Sequence, residues 1–461
     1  MKKLALTMLA LCQISAAFAG GILTNTNQSA RFARLMALEA STNADAAYYN
    51  PAGTIKLPEG FHFTFSNQSA FQKRIINSTF APMTGAGSKE FVGTASAPII
   101  PSLQGVYRKG KWALSGSVAV TGGGGKATFN DGLPSFESAI SVIPSVVNAM
   151  APATNTTRYS VDAYMRGSSF IYGAQLGGTY AINDMFSAYG GFRLNIVNNS
   201  YEGYLKNIKI NPTYPGNPSG DMILASDFFT AMGQTQYVGL VADREIDNKQ
   251  SGWGVAPVLG VHFNYKKLNI GMKYEFKTRL DVESKTVDGK DAGLEQFKNG
   301  VNTPHDIPAL FTVGVSYDIL PQLTASVGYH HFFDKDAEMA NDKQKHLSGG
   351  TNEYLAGIEY RIDDMFLVSM GGQITRYGLG DGFQSDLSFS VNSYSLGFGG
   401  AVNVSKNVQI NIGYFFTDYS DYTKKTSDYS GMGQMIGQDI PGQDVFTRKN
   451  KVFTAGVDFS F

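Results

Sequence analysis

The 461-residue chain carries 38 Lys+Arg against 38 Asp+Glu, so its formal net charge is zero and a nucleic-acid footprint is not indicated. Charged residues are 16%, aromatics 12% and glycines number 52, a mixture that favours β-structure over a helical enzyme. The single cysteine, Cys12, falls in a leader segment, so disulfides are excluded from the mature chain.

Met1-Lys2-Lys3, the apolar run Leu4 to Ala17 and the small-residue pattern Ala17-Phe18-Ala19 predict a secretory signal peptide, 1–19, cut after Ala19. Its apolar core is shorter than the about 20 residues a membrane helix needs, and Leu11 before Cys12 does not fit a lipid-anchor signal.

Residues 20–58 do not alternate as a strand. Gln28 to Glu39 places Phe32, Leu35 and Met36 at helical spacing, with Ser29 or Asn27 available as N-cap. Asn50-Pro51 predicts a rigid turn, because Pro51 fixes its own φ and lacks an N–H. The segment is either a periplasmic tail or a plug, and the turn either a link or a pivot.

From residue 59 one unit repeats: an alternating stretch of about 10 residues, the length a tilted strand needs to cross a bilayer. Phe453, Ala455, Val457, Phe459 and Phe461 share one face; Thr454, Gly456, Asp458 and Ser460 share the other. The fold class predicted is all-β, a fourteen-stranded antiparallel transmembrane barrel over 59–461. Its strands are 59–71, 98–108, 111–121, 166–182, 185–202, 252–265, 268–280, 308–319, 323–334, 352–362, 365–377, 389–404, 408–420 and 450–461.

Short turns at Lys109-Gly110, Asn183-Asp184, Lys266-Lys267, Pro321-Gln322, Asp363-Asp364 and Lys406-Asn407 belong to the periplasmic side. Long loops near 72–97, 122–165, 203–251, 281–307, 335–351, 378–388 and 421–449 belong outside. Tyr317, Tyr329, Tyr360 and Tyr414 suit an interfacial girdle. About eight strands already close around their own side chains, so fourteen leave a lumen that leaks unless filled.

Within loop 122–165, Leu133, Phe136, Ile140, Ile143 and Val147 form an apolar run in which Pro144 predicts a kink or two short helices, and the loop is either an acceptor groove for lipid or a self-packed loop structure. Gly122, Gly123 and Gly124 end the third strand as a hinge or a weak point in the wall. By strand parity Arg193, Lys273 and Arg361 point inward, either holding an anionic head group or paired with acids such as Glu275 and Glu359. His330 and His331 face opposite ways, which disfavours a shared metal site, and neither a cofactor motif nor a Gly-x-Ser-x-Gly nucleophile is present.

Tyr48-Tyr49-Asn50-Pro51-Ala52-Gly53, preceded by Gln28-Ser29-Ala30 and followed by the first strand, resembles the hatch signature of the FadL-type long-chain fatty acid outer-membrane transporters. The family layout is also fourteen strands, an N-terminal hatch and a terminal Phe, here Phe461; the family's Gly/Ala-rich stretch is replaced by Leu35-Met36-Ala37-Leu38-Glu39. The resemblance implies a monomeric, passive, non-enzymatic carrier in the Gram-negative outer membrane, inserted by the barrel assembly machinery among outer-membrane lipid and lipopolysaccharide. Its cargo would be a long-chain fatty acid or similar hydrophobic ligand, gated by a hatch that includes Asn50, Pro51 and Ala52 and released sideways through the wall. A general porin, a channel for another hydrophobic solute such as an aromatic compound, and a surface adhesin or antigen are the alternatives.

Overall fold

The computed structural model describes residue 22 and residues 24–433 and 437–461; the predicted leader 1–19 lies outside the described residues. Eighteen extended segments form one antiparallel sheet that closes on itself. Leu268–Glu275 with Asp281–Asp291, and Asn302–Pro304 with Leu310–Leu320, are two interrupted strands. Ile223–Leu224 and Tyr422–Thr426 are loop additions, which leaves fourteen strands in the wall.

These are β1 (Gly60–Phe80), β2 (Lys89–Lys109), β3 (Trp112–Phe129), β4 (Tyr159–Ala181), β5 (Phe186–Ile210), β6 (Arg244–Tyr265) and β7 (Leu268–Glu275 continued by Asp281–Asp291). There follow β8 (Asn302–Pro304 and Leu310–Leu320), β9 (Leu323–Phe332), β10 (Thr351–Arg361), β11 (Phe366–Arg376), β12 (Ser393–Ser405), β13 (Val408–Tyr419) and β14 (Gly442–Ser460). β14 pairs with β1 from His62 opposite Ser460 to Phe80 opposite Gly442, so the sheet closes into a barrel.

Side-chain alternation decides which face meets lipid. In β1, Phe61, Phe63 and Phe65 are exposed outward while His62, Thr64 and Ser66 are buried inward. The same outward belt runs through Trp112, Trp253, Tyr317, Tyr360 and Phe461. No described helix is long and apolar enough to cross a membrane.

All six short turns fall where the sequence places them. Asn183 and Asp363 each accept two backbone N–H groups with the side-chain oxygen, from Met185 and Phe186 and from Met365 and Phe366. Gly110 and Lys266 take the positive φ, +55° and +54°, that such tight turns require.

The strand tops need correction. β1 to β6 run 18 to 25 residues, whereas β9 to β13 run 10 to 13. One side of the barrel therefore stands well above the bilayer, and the predicted loop 72–97 is a hairpin with its tip at 81–88. Above the membrane both faces of a strand meet polar surroundings or loops, so the two-residue alternation fades while the ladder continues. The segment read as a single strand 268–280 is broken at 276–280.

The tall side is capped by loops with their own apolar cores. Ile140, Ile143 and Val147 pack with Phe228, Phe229 and Tyr237; Leu133 and Phe136 pack with Phe91, Phe297 and Phe446. Two helices, Pro134–Ser141 and Ile143–Met150, meet at Val142, with Pro144 in the first turn of the second.

Asp334, just past β9, closes the loop to β10 by accepting the Thr351 N–H at 2.8 Å and its hydroxyl at 2.6 Å. Burial pushes this carboxyl up to about 7, against the opposing pull of those two bonds. A raised folded-state value gives stability that is complete below the ordinary carboxylate range and lost as pH rises through about 7. Hydrogen exchange of residues 333–350, corrected for intrinsic rates, should show more protection at pH 5 than at pH 8, and Asp334→Asn should flatten that difference. Equal protection at both pH values in the native protein would count against the assignment.

Candidate functional site in the lumen

Residues 24–58 lie inside the barrel and are almost entirely buried. Ser29 caps a short helix, Ala30–Leu35, by accepting the Phe32 N–H at 3.0 Å. Phe32, Leu35, Met36, Leu38, Tyr48 and Tyr49 then form one apolar cluster with Leu355, Phe415 and Val452 of the wall. Met36 stands at φ +63°, a backbone state that costs an L-residue about 1–2 kcal/mol.

Close approach of segment and wall depends on inward-facing glycines. A Cβ at Gly357 or Gly371 would meet the Leu35 carbonyl oxygen at 2.1 or 2.2 Å, and one at Gly271 would meet the Glu39 carbonyl oxygen at 1.9 Å.

Buried ion pairs fix the segment laterally. Arg34 reaches Glu359 and Ser369 at 2.6 Å and Asn411 at 2.9 Å. The Glu39 carboxylate meets His330 Nε2 at 2.7 Å, and His330 Nδ1 meets Glu353 at 2.8 Å. Two of the proposed head-group cations belong to this framework. Arg193 lies 2.5 Å and Lys273 2.6 Å from Glu275, both sit 4.7 Å from the Tyr48 ring centroid, and Lys273 donates to the Tyr48 carbonyl at 2.8 Å. Arg361 ends β10 exposed at the periplasmic rim.

The Asn50-Pro51-Ala52 turn is tied to three strands. Asn50 Nδ2 donates to the Ser41 carbonyl at 2.9 Å and lies 2.9 Å from His262 Nδ1. Thr179 donates to the Pro51 carbonyl at 2.8 Å, and Ser187 to the Ala52 carbonyl at 2.7 Å. Leu133, Phe136 and Ile140 are buried in the outer cap, at 0%, 5% and 6% exposure, so none of them faces a passing molecule.

The glycine run does not end β3, as expected from sequence, but interrupts it. Pairing of β2 with β3 stops after Ala95 opposite Ala127 and resumes only at Ser102 opposite Ala119. Register with β4 shifts on both sides of Gly122. Gly123 and Gly125 hold φ of +90° and +67°, and a Cβ on Gly123 would lie 2.3 Å from the Ser169 carbonyl oxygen. Gly124 lies within the same interruption. The start of the lumenal segment lies against this stretch: Asn25 N–H donates to the Thr121 carbonyl at 2.8 Å, and Gln28 Nε2 to the Val120 carbonyl at 2.9 Å.

A cavity of about 240 Å³ adjoins the interruption, lined by Asn25, Gln68, Ala95 to Ala97, Ile100, Gly123 and Gly125, and farther in by Glu353, Arg74 and Arg448. Arg74 and Arg448 are cross-strand neighbours on β1 and β14, both buried. Arg448 rests 4.7 Å from the Phe389 ring centroid, and its Nε and Nη2 have no hydrogen-bond partner. Both arginines were hidden in segments read as loops. The inward parity of His62, Thr64, Ser66 and Gln68, carried on to residue 74, was the available signal.

No protein-family model matches the sequence, and no curated protein matches it. Among solved structures, a FadL homologue from Pseudomonas aeruginosa superposes with a TM-score of 0.64 at 12% identity, covering 97% of this chain and 100% of that one. The chain has the FadL-type barrel fold. The toluene transporter TodX of Pseudomonas putida (TM-score 0.53, 13% identity, 91% and 94% covered) shares it. So does the toluene transporter TbuX of Ralstonia pickettii (0.52, 15%, 91% and 94%).

In this FadL-type barrel, Gly371→Val should push the Leu35 carbonyl and the lumenal segment off the wall. Single-barrel conductance in planar bilayers is expected to rise severalfold over the native protein. Unchanged conductance in a correctly inserted variant would show that the segment does not depend on that contact.

Proposed function

We propose that this barrel is an outer-membrane carrier for hydrophobic molecules with an anionic head, long-chain fatty acids above all, acting passively. Residues 20–58 serve as the hatch, and the β2–β3 interruption serves as the sideways exit. The observation that carries the reading is the cavity that joins the wall interruption to Arg74 and to the unsatisfied guanidinium of Arg448. A buried cation without a full partner set favours a carboxylate, which accepts from a guanidinium fork through both oxygens. Sideways exit suits the rest of such a molecule, because each acyl CH₂ kept out of water saves about 0.8 kcal/mol.

A second reading is a carrier of plain aromatic hydrocarbons, favoured by the barrel's likeness to TodX and TbuX, which are toluene transporters. The cavity lining argues for the first: Gln68, Gln72, Arg74, Glu353, Gln373, Arg448 and Asn450 offer many polar groups to a ligand that has none. On the tall side, an outer groove of about 1060 Å³, bordered by Met83, Tyr159, Val161 and Tyr204 together with Lys89, Arg158, Lys206 and several acids, is the proposed capture site.

Labelled oleate uptake in Gram-negative cells lacking their own fatty acid transporter tests this. The native chain should restore uptake, and Asn50→Ala/Pro51→Ala should impair it at equal surface levels. Arg74→Gln/Arg448→Gln is expected to lower oleate uptake about tenfold, the value of roughly one charge-assisted hydrogen bond, while leaving toluene entry unchanged. Failure of the native barrel to carry oleate, with toluene entry intact, would transfer the assignment to the hydrocarbon reading.

A further inference from the structure

The outward face of the closing seam bears a group of lysines that no part of the lumen uses. Lys73 of β1 stands directly opposite Lys449 of β14, and Lys451 stands opposite Phe71 one step nearer the bilayer. All three are exposed, and among the described residues no salt bridge reaches them. The acid closest in register is Asp418, the cross-strand neighbour of Lys449 on β13. Like charges placed opposite each other weaken a sheet unless a counter-charge bridges them.

Their height identifies the counter-charge. Level with Lys451 on the same face lie Phe71 and Phe416, and below it Phe453 with Tyr414 at 4.7 Å, an aromatic girdle. Phe61 and Phe461 mark the opposite girdle. The ten residues from Phe61 to Phe71 rise about 34 Å along the strand, or roughly 26 Å along the barrel axis at a tilt near 40°, which matches the apolar band of such barrels. Lys73 and Lys449 therefore stand in the outer headgroup layer, where a fixed anion of the membrane can bridge them.

We propose that Lys73, Lys449 and Lys451 form a binding site for the phosphates of an anionic glycolipid of the outer leaflet. The site borders the proposed exit. Thr94 of β2 is the neighbour of Lys73, and the β2–β3 ladder opens after Ala95. A lipid seated on the lysines therefore stands beside the molecules that would emerge there. The inference rests on the outer-membrane reading and is independent of the cargo.

Native mass spectrometry of the purified full-length barrel, titrated with bis-phosphorylated lipid A, tests it. K73Q/K449Q/K451Q should weaken binding roughly tenfold or more, as expected when three near-membrane charges are removed. Dephosphorylated lipid A should bind the native barrel as weakly as the phosphorylated form binds that variant. A control, K249Q/K285Q, removes another cross-strand lysine pair on β6 and β7 that has Glu283 beside it, and should leave affinity unchanged. Equal affinity of the triple variant and native protein, or displacement of lipid A by equimolar inorganic phosphate, would overturn the assignment. Oleate uptake by the triple variant separates this result from the transport reading.

Discussion

A backbone amide facing hydrocarbon has no water to bond, and the architecture follows from that constraint. It forces the sheet to close, which joins β14 to β1 along an uninterrupted register from His62 to Phe80. Closure at fourteen strands leaves an interior wider than its own side chains can fill. The N-terminal segment occupies that space, and because it is irregular backbone at membrane depth, its polar groups are costly to leave without partners.

That need explains why the lumen is so rich in buried charge. Arg34, Glu39, Arg193, Lys273 and Glu275 are each buried and each paired. Replacing such networks by apolar packing is often neutral or stabilising, so they are weak evidence for stability as such. Their value here is register: a greasy plug slides, whereas Glu39 has one position opposite His330. The glycines of β7, β10 and β11 complement this by letting the segment's backbone approach without a Cβ in the way. Arg448, by contrast, has no ion pair among the described residues, leaves two guanidinium nitrogens without a hydrogen-bond partner, and lines the cavity.

Most of the wall was legible in the sequence because a membrane imposes a two-residue period, as Phe61, Phe63 and Phe65 display. The turns were legible because Asn183 and Asp363 are chemically committed to bonding the backbone ahead of them. The strand tops were not, since the segment containing Lys73 and Arg74 no longer faces lipid on one side and solvent-like lumen on the other. Parity gave the inward direction of Arg193 and Lys273 but not their partners, because Glu275 and Tyr48 meet them only after the N-terminal segment has folded into the barrel. The apolar run containing Leu133, Phe136 and Ile140 was visible; whether it faced a ligand or its own neighbours depends on loops distant in sequence, such as the one carrying Phe228 and Phe229.

The interruption in β3 carries its own thermodynamic price tag through the two hydrogen bonds that Asn25 and Gln28 donate to Thr121 and Val120. Withdrawing that stretch leaves the acceptors unmatched at about 1–3 kcal/mol each where water cannot enter. The resting barrel would then populate the withdrawn form only about once in thirty to roughly once in twenty-five thousand molecules. A ligand or water that reaches those same carbonyl oxygens removes most of that penalty. Leakiness and responsiveness in this barrel are thereby one quantity, set by how well the arriving molecule replaces two amide donors.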